Sequence, residues 1–185
     1  GRAPAGDRTF TAVVDEWLEK GCRWSENTRR GHRSIILQVK AEFGSRSVAE
    51  IRSQDLEGYL ARRKAEGMPA ASRNRILATL KVIFKAASSW GYVPYNPAIS
   101  VKMEREEVKT KDVLDDNEFE RLLAELAEDA RRVVLIAADT GMRRAELERL
   151  AWEDVDLVAG ELRIAQAKNG ESRVVPLTHR LRVPL

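Results

Sequence analysis

Glycine closes three successive stretches of helical apolar spacing, and this punctuation limits the first half of the chain to short, stackable helices. "TFTAVVDEWLEKG" repeats apolar side chains at Phe10, Val13, Val14 and Trp17 before Gly21. "SENTRRGHRSIILQVKAEFG" offers Ser25 as N-cap, a stripe of Ile35, Ile36, Val39 and Phe43, and Gly44 just past its end. "SQDLEGYLARRKAEG" predicts a third helix, capped by Ser53 and closed by Gly67. "SRNRILATLKVIFKAASSWG" predicts a fourth, with Ile76, Leu80, Ile83, Phe84 and Ala87 facing inward. Residues three and four apart share a helix face, so each stretch has one stripe to bury. Glycine supplies the left-handed residue that ends many helices. Four helices of this size make one compact bundle over residues 8–100.

The pattern then changes. Pro94 and Pro97 remove backbone donors and hold their neighbours extended. Residues 101–112, "VKMEREEVKTKD", are mostly charged and are expected to form an interdomain linker. A second unit is expected over 113–185. Asp115 and Glu118 have capping-box spacing ahead of an amphipathic helix, and "ARRVVLIAADTG" predicts a more apolar helix central to the second core. "GELRIAQAKNGESRVVPLT" alternates with period two, and Asn169-Gly170 is the dipeptide that a type I′ hairpin turn favours. The fold class expected is therefore mainly α: a four-helix bundle, a linker, and a partial α+β unit with a β-hairpin. Trp17, Trp90 and Trp152 are expected to be core aromatics.

Composition narrows the function. At 43% apolar residues the chain has material for a core, and its single cysteine, Cys22, cannot form an internal disulfide. No Cys/His cluster has zinc spacing, no apolar run reaches membrane-spanning length, and "GRAPAGDR" lacks the apolar region of a signal peptide. Neither a metal nor a membrane is expected, and a cytoplasmic setting is. Charge is divided unevenly. Residues 1–108 carry 19 Lys and Arg against 13 Asp and Glu, whereas residues 109–185 carry 13 against 16. A basic helical half points to a polyanion, most often nucleic acid.

Two cations stand out in the second half. In "TGMRRAELERLAWEDVDL", Arg143 falls on the helical face of Leu147 and Leu150, which is expected to be buried. A guanidinium keeps its proton, so burial there demands an anion: Glu146, three residues on, or an incoming phosphate. Lys168 immediately precedes the Asn-Gly turn, where a hairpin would present its ammonium as a proton donor, a phosphate contact or an ordinary turn lysine.

These segments together resemble the tyrosine recombinase (phage integrase) family. "ADTGMRRAELERLAWEDVDL" and "KNGESRVVPL" carry the strongest likeness, and the four helical stretches with "VLDDNEFERLL" resemble that family's SAM-like core-binding domain and the opening of its catalytic domain. The resemblance implies a C-shaped clamp on duplex DNA, assembled in the full-length parent as a tetramer on two sites. It implies strand cleavage by a tyrosine that forms a 3′-phosphotyrosyl link, with no metal or cofactor consumed. It casts Arg143 as the first catalytic arginine, Lys168 as the hairpin lysine that protonates the leaving oxygen, and Glu146 as an acid that orients the site. The family's later His-x-x-Arg block, further His or Trp and nucleophilic tyrosine have no counterpart. Tyr59, Tyr92 and Tyr95 all precede Arg143, and His179-Arg180 is adjacent rather than spaced. The sequence reads as the front part of an integrase, and the chain alone is expected to be inactive.

The expected DNA surface lies on the second and fourth helices. Arg29, Arg33 and Lys40 form a line beside the apolar stripe, with Arg30 adjacent. Arg75, Lys81 and Lys85 lie on the polar side of the fourth helix and Arg73 at its start. The family resemblance, which sets the second and fourth helices against the major groove, implies base contacts for Arg73 and Arg75. Two rival readings remain: a DNA-binding module or regulator without catalysis, and a helical protein-interaction domain.

Overall fold

The computed structural model describes residues 8–107, 112–164 and 172–182, and the chain divides into two compact units, 1–109 and 110–185. In the first unit, helix α1 (Phe10–Glu16) runs on into a π-helical turn, Trp17–Gly21, followed by α2 (Glu26–Phe43), a 3₁₀ turn at Val48–Glu50, α3 (Ser53–Ala65) and α4 (Ala70–Ser89). Thr9 and Ser25 cap α1 and α2 by accepting the backbone N–H of Ala12 and Thr28. The expected stripes face one core. Phe10, Val13, Val14 and Trp17 of the first segment, Ile35, Ile36, Val39 and Phe43 of α2, Leu56 and Tyr59 of α3, and Ile76, Leu80, Ile83, Phe84 and Ala87 of α4 are all buried. Phe10 joins the layers, with its ring centroid 5.9 Å from Phe43 and 5.6 Å from Phe84.

Gly44 is required for space rather than for backbone conformation. Its φ is −58°, yet a Cβ there would lie 2.2 Å from the Lys40 carbonyl oxygen and 2.4 Å from Thr11 Oγ1. That close approach lets Thr11 N–H reach the Gly44 carbonyl at 3.1 Å and ties the start of α1 to the end of α2.

Several expectations are corrected here. Ser53 is the first residue of α3 rather than its cap, and its hydroxyl donates to the Pro97 carbonyl at 2.8 Å. Residues 101–107 do not leave the first unit as a free linker. Val101 is buried in its core, and the Asn74 side chain exchanges hydrogen bonds with the Glu104 backbone (2.8 and 2.9 Å) while donating to the Glu106 carboxylate at 2.7 Å. The same charge that made this segment look like a linker is what binds it to α4. Trp24 packs edge-on against Trp17 at 4.9 Å and lies 4.3 Å from the His32 ring; His32 Nδ1 and the Thr28 carbonyl oxygen are 3.0 Å apart.

In the second unit, α5 (Asp116–Glu125) opens with the expected reciprocal cap: Asp115 N–H donates to Glu118 and Glu118 N–H to Asp115. After α6 (Glu128–Thr140) come the single-turn α7 (Arg144–Leu147), a 3₁₀ turn at Trp152–Asp154, strands β1 (Val155–Asp156), β2 (Glu161–Ile164) and β3 (Arg173–Pro176), and α8 (His179–Arg182). The strands form an antiparallel sheet in the order β1-β2-β3, with Leu162 opposite Val175 and Ile164 opposite Arg173. Leu162 and Ile164 share the buried side, as the alternation predicts. Helix α6 supplies Leu135 to the second core, with Val134 and Ile136 packed against it, and is amphipathic, leaving Val133 half exposed. One expectation fails. Trp152 is 66% exposed rather than part of the core. Arg180 donates to Glu120 at 2.5 Å and lies over the Phe119 ring, so it fastens α8 to α5.

Candidate functional site

The turn around Arg143 is built by its own sequence. Gly141 adopts the left-handed conformation (φ 62°) and its N–H caps the Ala137 carbonyl of α6. Thr140 Oγ1 donates to the Ile136 carbonyl and accepts the Met142 N–H. Met142 is buried, and Arg143 is extended (φ −73°, ψ 153°) at the N-cap of α7. The expected burial is therefore inverted. The Arg143 side chain is 61% exposed, and the buried charge is Glu146, 6% exposed. Arg143 is the extended N-cap of a helix only four residues long, so a helical period run back from Leu147 and Leu150 assigns it to a face it does not share.

Glu146 is held by two arginines. Arg173 of β3 donates to both carboxylate oxygens, at 2.8 and 3.3 Å. The Arg143 N–H donates to Oε2 at 2.9 Å and its Nη1 to Oε1 at 3.1 Å. These donors, the Arg173 guanidinium foremost and then the Arg143 N–H, hold the Glu146 carboxyl at about 2, against an ordinary 4.5. Because the folded value is the lower one, this carboxylate's contribution to stability is complete above 4.5 and is lost as pH falls through about 2. Denaturant melts across that window should show the difference between the wild type and Glu146→Gln shrinking steadily toward acid. A constant difference would mean that the carboxylate charge contributes nothing.

A small cavity of about 120 Å³ adjoins this network, lined by Met142, Glu146, Arg149, Leu150, Asp154, Arg163 and Ile164. Arg144 pairs with Glu148 at 2.8 Å on the exposed side of α7. Lys168 and the Asn169-Gly170 turn lie outside the described residues. Arg173 was not singled out by sequence reasoning. The alternation of β3 places it on the strand, but its partner is 27 residues away, and no local spacing announces such a pair.

In the first unit the expected contacts divide by what already holds them. Arg73 is corrected outright. Its side chain is 7% exposed, and its Nε and Nη2 clasp both oxygens of Glu104 at 2.6 Å, while Nη1 donates to the Met68 carbonyl. It pins residues 101–107 and has no face toward a partner. The Arg73 fork, with Lys64 Nζ 3.2 Å from the same carboxylate, holds the Glu104 carboxyl at about 2. Arg29 donates to the Cys22 carbonyl, Arg30 to Asn27, and Lys40 to Asp15 at 2.8 Å. Among the described residues, the side chains of Arg33, Arg75, Lys81 and Lys85 make no hydrogen bond or ion pair. Arg75 borders a groove of about 510 Å³ between α2, the end of α3 and the start of α4, lined in part by Gly31, Ser34, Gln38, Arg63 and Ser72. Arg63 donates there to Gln38 (2.7 Å) and Glu66 (2.6 Å). Among the described residues no helix is long and apolar enough to cross a membrane.

Comparison with known proteins gives consistent matches for both units. A model of the phage integrase N-terminal SAM-like domain matches residues 14–91, and one of the phage integrase family matches residues 112–183. A putative integrase/recombinase of Haemophilus influenzae is 25% identical over 93% of this chain and 60% of its own length. A shufflon-specific DNA recombinase of Escherichia coli is 32% identical over 89% of this chain and 47% of its own length. The chain thus spans about half to three-fifths of these curated relatives. Two solved structures share the fold. The Tn1549 transposon integrase bound to transposon right-end DNA matches with TM-score 0.83 and 16% identity, covering 96% of this chain and 63% of that one. A lambda integrase tetramer on a Holliday junction matches with TM-score 0.79 and 22% identity, covering 93% and 50%.

Proposed function

Since the chain belongs to the phage integrase family, carrying its SAM-like N-terminal domain and then part of its integrase domain, we propose that it binds duplex DNA and supplies the first half of a strand-cleavage site for site-specific recombination. Arg143 carries this reading. It is a permanent cation, more than half exposed, held on one side by a buried carboxylate and open on the other. Such a guanidinium neutralises a scissile phosphate as charge builds on its oxygens, and it stabilises the transition state more than the ground state. Glu146 sets the direction in which Arg143 points. Lys168 protonates the departing 5′-oxygen once a tyrosine has attacked phosphorus and formed the 3′-phosphotyrosyl link. Tyr59 and Tyr92 are buried in the first unit and Tyr95 lies in the turn after α4. We therefore assign the nucleophile to a residue outside these 185, and these residues alone are inactive in cleavage. No metal or cofactor takes part.

Arg33, Arg75, Lys81 and Lys85 are the primary phosphate contacts of the first unit. Arg29, Arg30 and Lys40 are secondary contacts, because each would first give up an existing partner. The complete protein works as a tetramer on two DNA sites, in the DNA-containing cytoplasm of a bacterium or of a phage-infected cell. Binding to a duplex should weaken steeply with salt. With four to six phosphates neutralised, the slope of log K against log salt is expected to be about −4 to −5. Fluorescence anisotropy over a salt series measures it, and a flat response or no binding at low salt refutes the assignment. A nicked suicide duplex tests the second half of the reading: a covalent adduct with this chain alone would place the nucleophile among Tyr59, Tyr92 and Tyr95.

A further inference from the structure

We propose that Arg173 is a positioning residue: by occupying the carboxylate of Glu146, it keeps the Arg143 guanidinium available for phosphate. The inference rests on the reading of Arg143 as the phosphate-binding cation. It begins from the number of acceptor sites. A carboxylate has two oxygens with about four lone-pair directions. Arg173 takes one on each oxygen, at 2.8 and 3.3 Å, and the Arg143 backbone N–H takes a further one on Oε2. The Arg143 side chain is left a single contact, Nη1 to Oε1 at 3.1 Å. Its Nε and Nη2 donate to nothing among the described residues, and the side chain is 61% exposed.

Removing Arg173 changes the competition. Glu146 is 6% exposed and has little access to water, so a carboxylate there needs a full complement of donors. Among the described residues, the other cation already bonded to Glu146 is Arg143, three residues away on the same turn, whereas Arg149 and Arg163 line the adjoining cavity without a hydrogen bond to the carboxylate. The stable response is a parallel two-bond fork between Arg143 and Glu146, the geometry guanidinium and carboxylate prefer. That fork uses the donors a phosphate would need. Two arginines sharing one acid also leave the site with a net positive charge, whereas one arginine and one acid leave it neutral. Arg173 acts through Glu146, and through the register of β3 against β2 (Ile164 opposite Arg173), which fixes its reach.

A double-mutant cycle separates this role from direct phosphate contact by Arg173, whose own side chain is 34% exposed. Arg173→Ala is expected to weaken duplex binding by about tenfold, the size of one charged hydrogen-bonding contact. Adding Glu146→Gln removes the anion that captures Arg143, so Arg173→Ala/Glu146→Gln should bind within about twofold of Glu146→Gln alone. A double variant as weak as Arg173→Ala would overturn the proposal and assign Arg173 to the phosphate directly. Nitrogen-15 spectra of the arginine side chains give a second reading without DNA. The Arg143 guanidinium should show slowed rotation in Arg173→Ala and recover in the double variant. Unchanged Arg143 signals in Arg173→Ala also overturn the proposal. Where Arg173→Ala fails to fold, judged by circular dichroism, Arg173→Gln takes its place and carries the same expectations. If the wild type binds no DNA, the functional reading fails while the spectra still decide whether Arg173 controls Arg143.

Discussion

In a full-length recombinase carrying these residues, Arg143→Ala is expected to lower strand cleavage by about a thousandfold, the range seen when one charge-stabilising donor is removed from a transition state. Affinity should change far less. One phosphate contact among several is lost, and the slope of log K against log salt should become shallower by about one. The asymmetry follows from exposure. Arg143 stands at the N-cap of a single-turn helix, makes one side-chain contact and contributes nothing to the core. Its removal leaves Glu146 still held by Arg173. The measurement is cleavage of a nicked suicide duplex at saturating enzyme, with a parallel binding titration. Unaltered cleavage would make Arg143 a structural residue and remove the mechanism.

The largest effect on stability is expected at Phe84. Its ring is fully buried in α4, 5.6 Å from Phe10, where α1 meets α4. Truncating a core phenylalanine costs about 3–5 kcal/mol, because transfer free energy is lost and the neighbours only partly fill the cavity. For a unit of this size that lowers Tm by roughly 10 °C or more. Differential scanning calorimetry of Phe84→Ala reads it directly, and a shift of only a degree or two would mean that the α1–α4 contact is not central to the bundle.

The helices were largely legible in the sequence because each buries one stripe, and a stripe repeats with the helix period whatever it packs against. Ser25, Asp115 and Glu118 were legible as caps for the same reason: partner and residue lie within one turn. Arg73 was not. Its spacing puts it near the start of a basic helix, and only the chain's return at Glu104, 31 residues later, turns it inward. Arg143 failed differently. It stands in extended conformation at the N-cap of a single-turn helix, and a period read from Leu147 and Leu150 does not show that the helix begins one residue later. Glu146 was legible as a partner of Arg143 from its spacing three residues on, but its burial and its bond to Arg173 depend on how β3 lies against α7. What was missed is therefore mostly charge, since an ion pair across the fold leaves no periodic trace.

The placement of the tryptophans gives the molecule optical reporters of its own. Trp17, Trp24 and Trp90 all stand in the first unit, where Trp17 is sealed in hydrocarbon and Trp24 meets it edge to face. Trp152 is the second unit's tryptophan and faces water, three residues before the start of β1 and six after Glu146 along the chain. Trp17 is expected to emit in the blue, shielded from quenchers, and Trp152 in the red, open to them, so each half of a single polypeptide carries intrinsic light of its own without an attached dye.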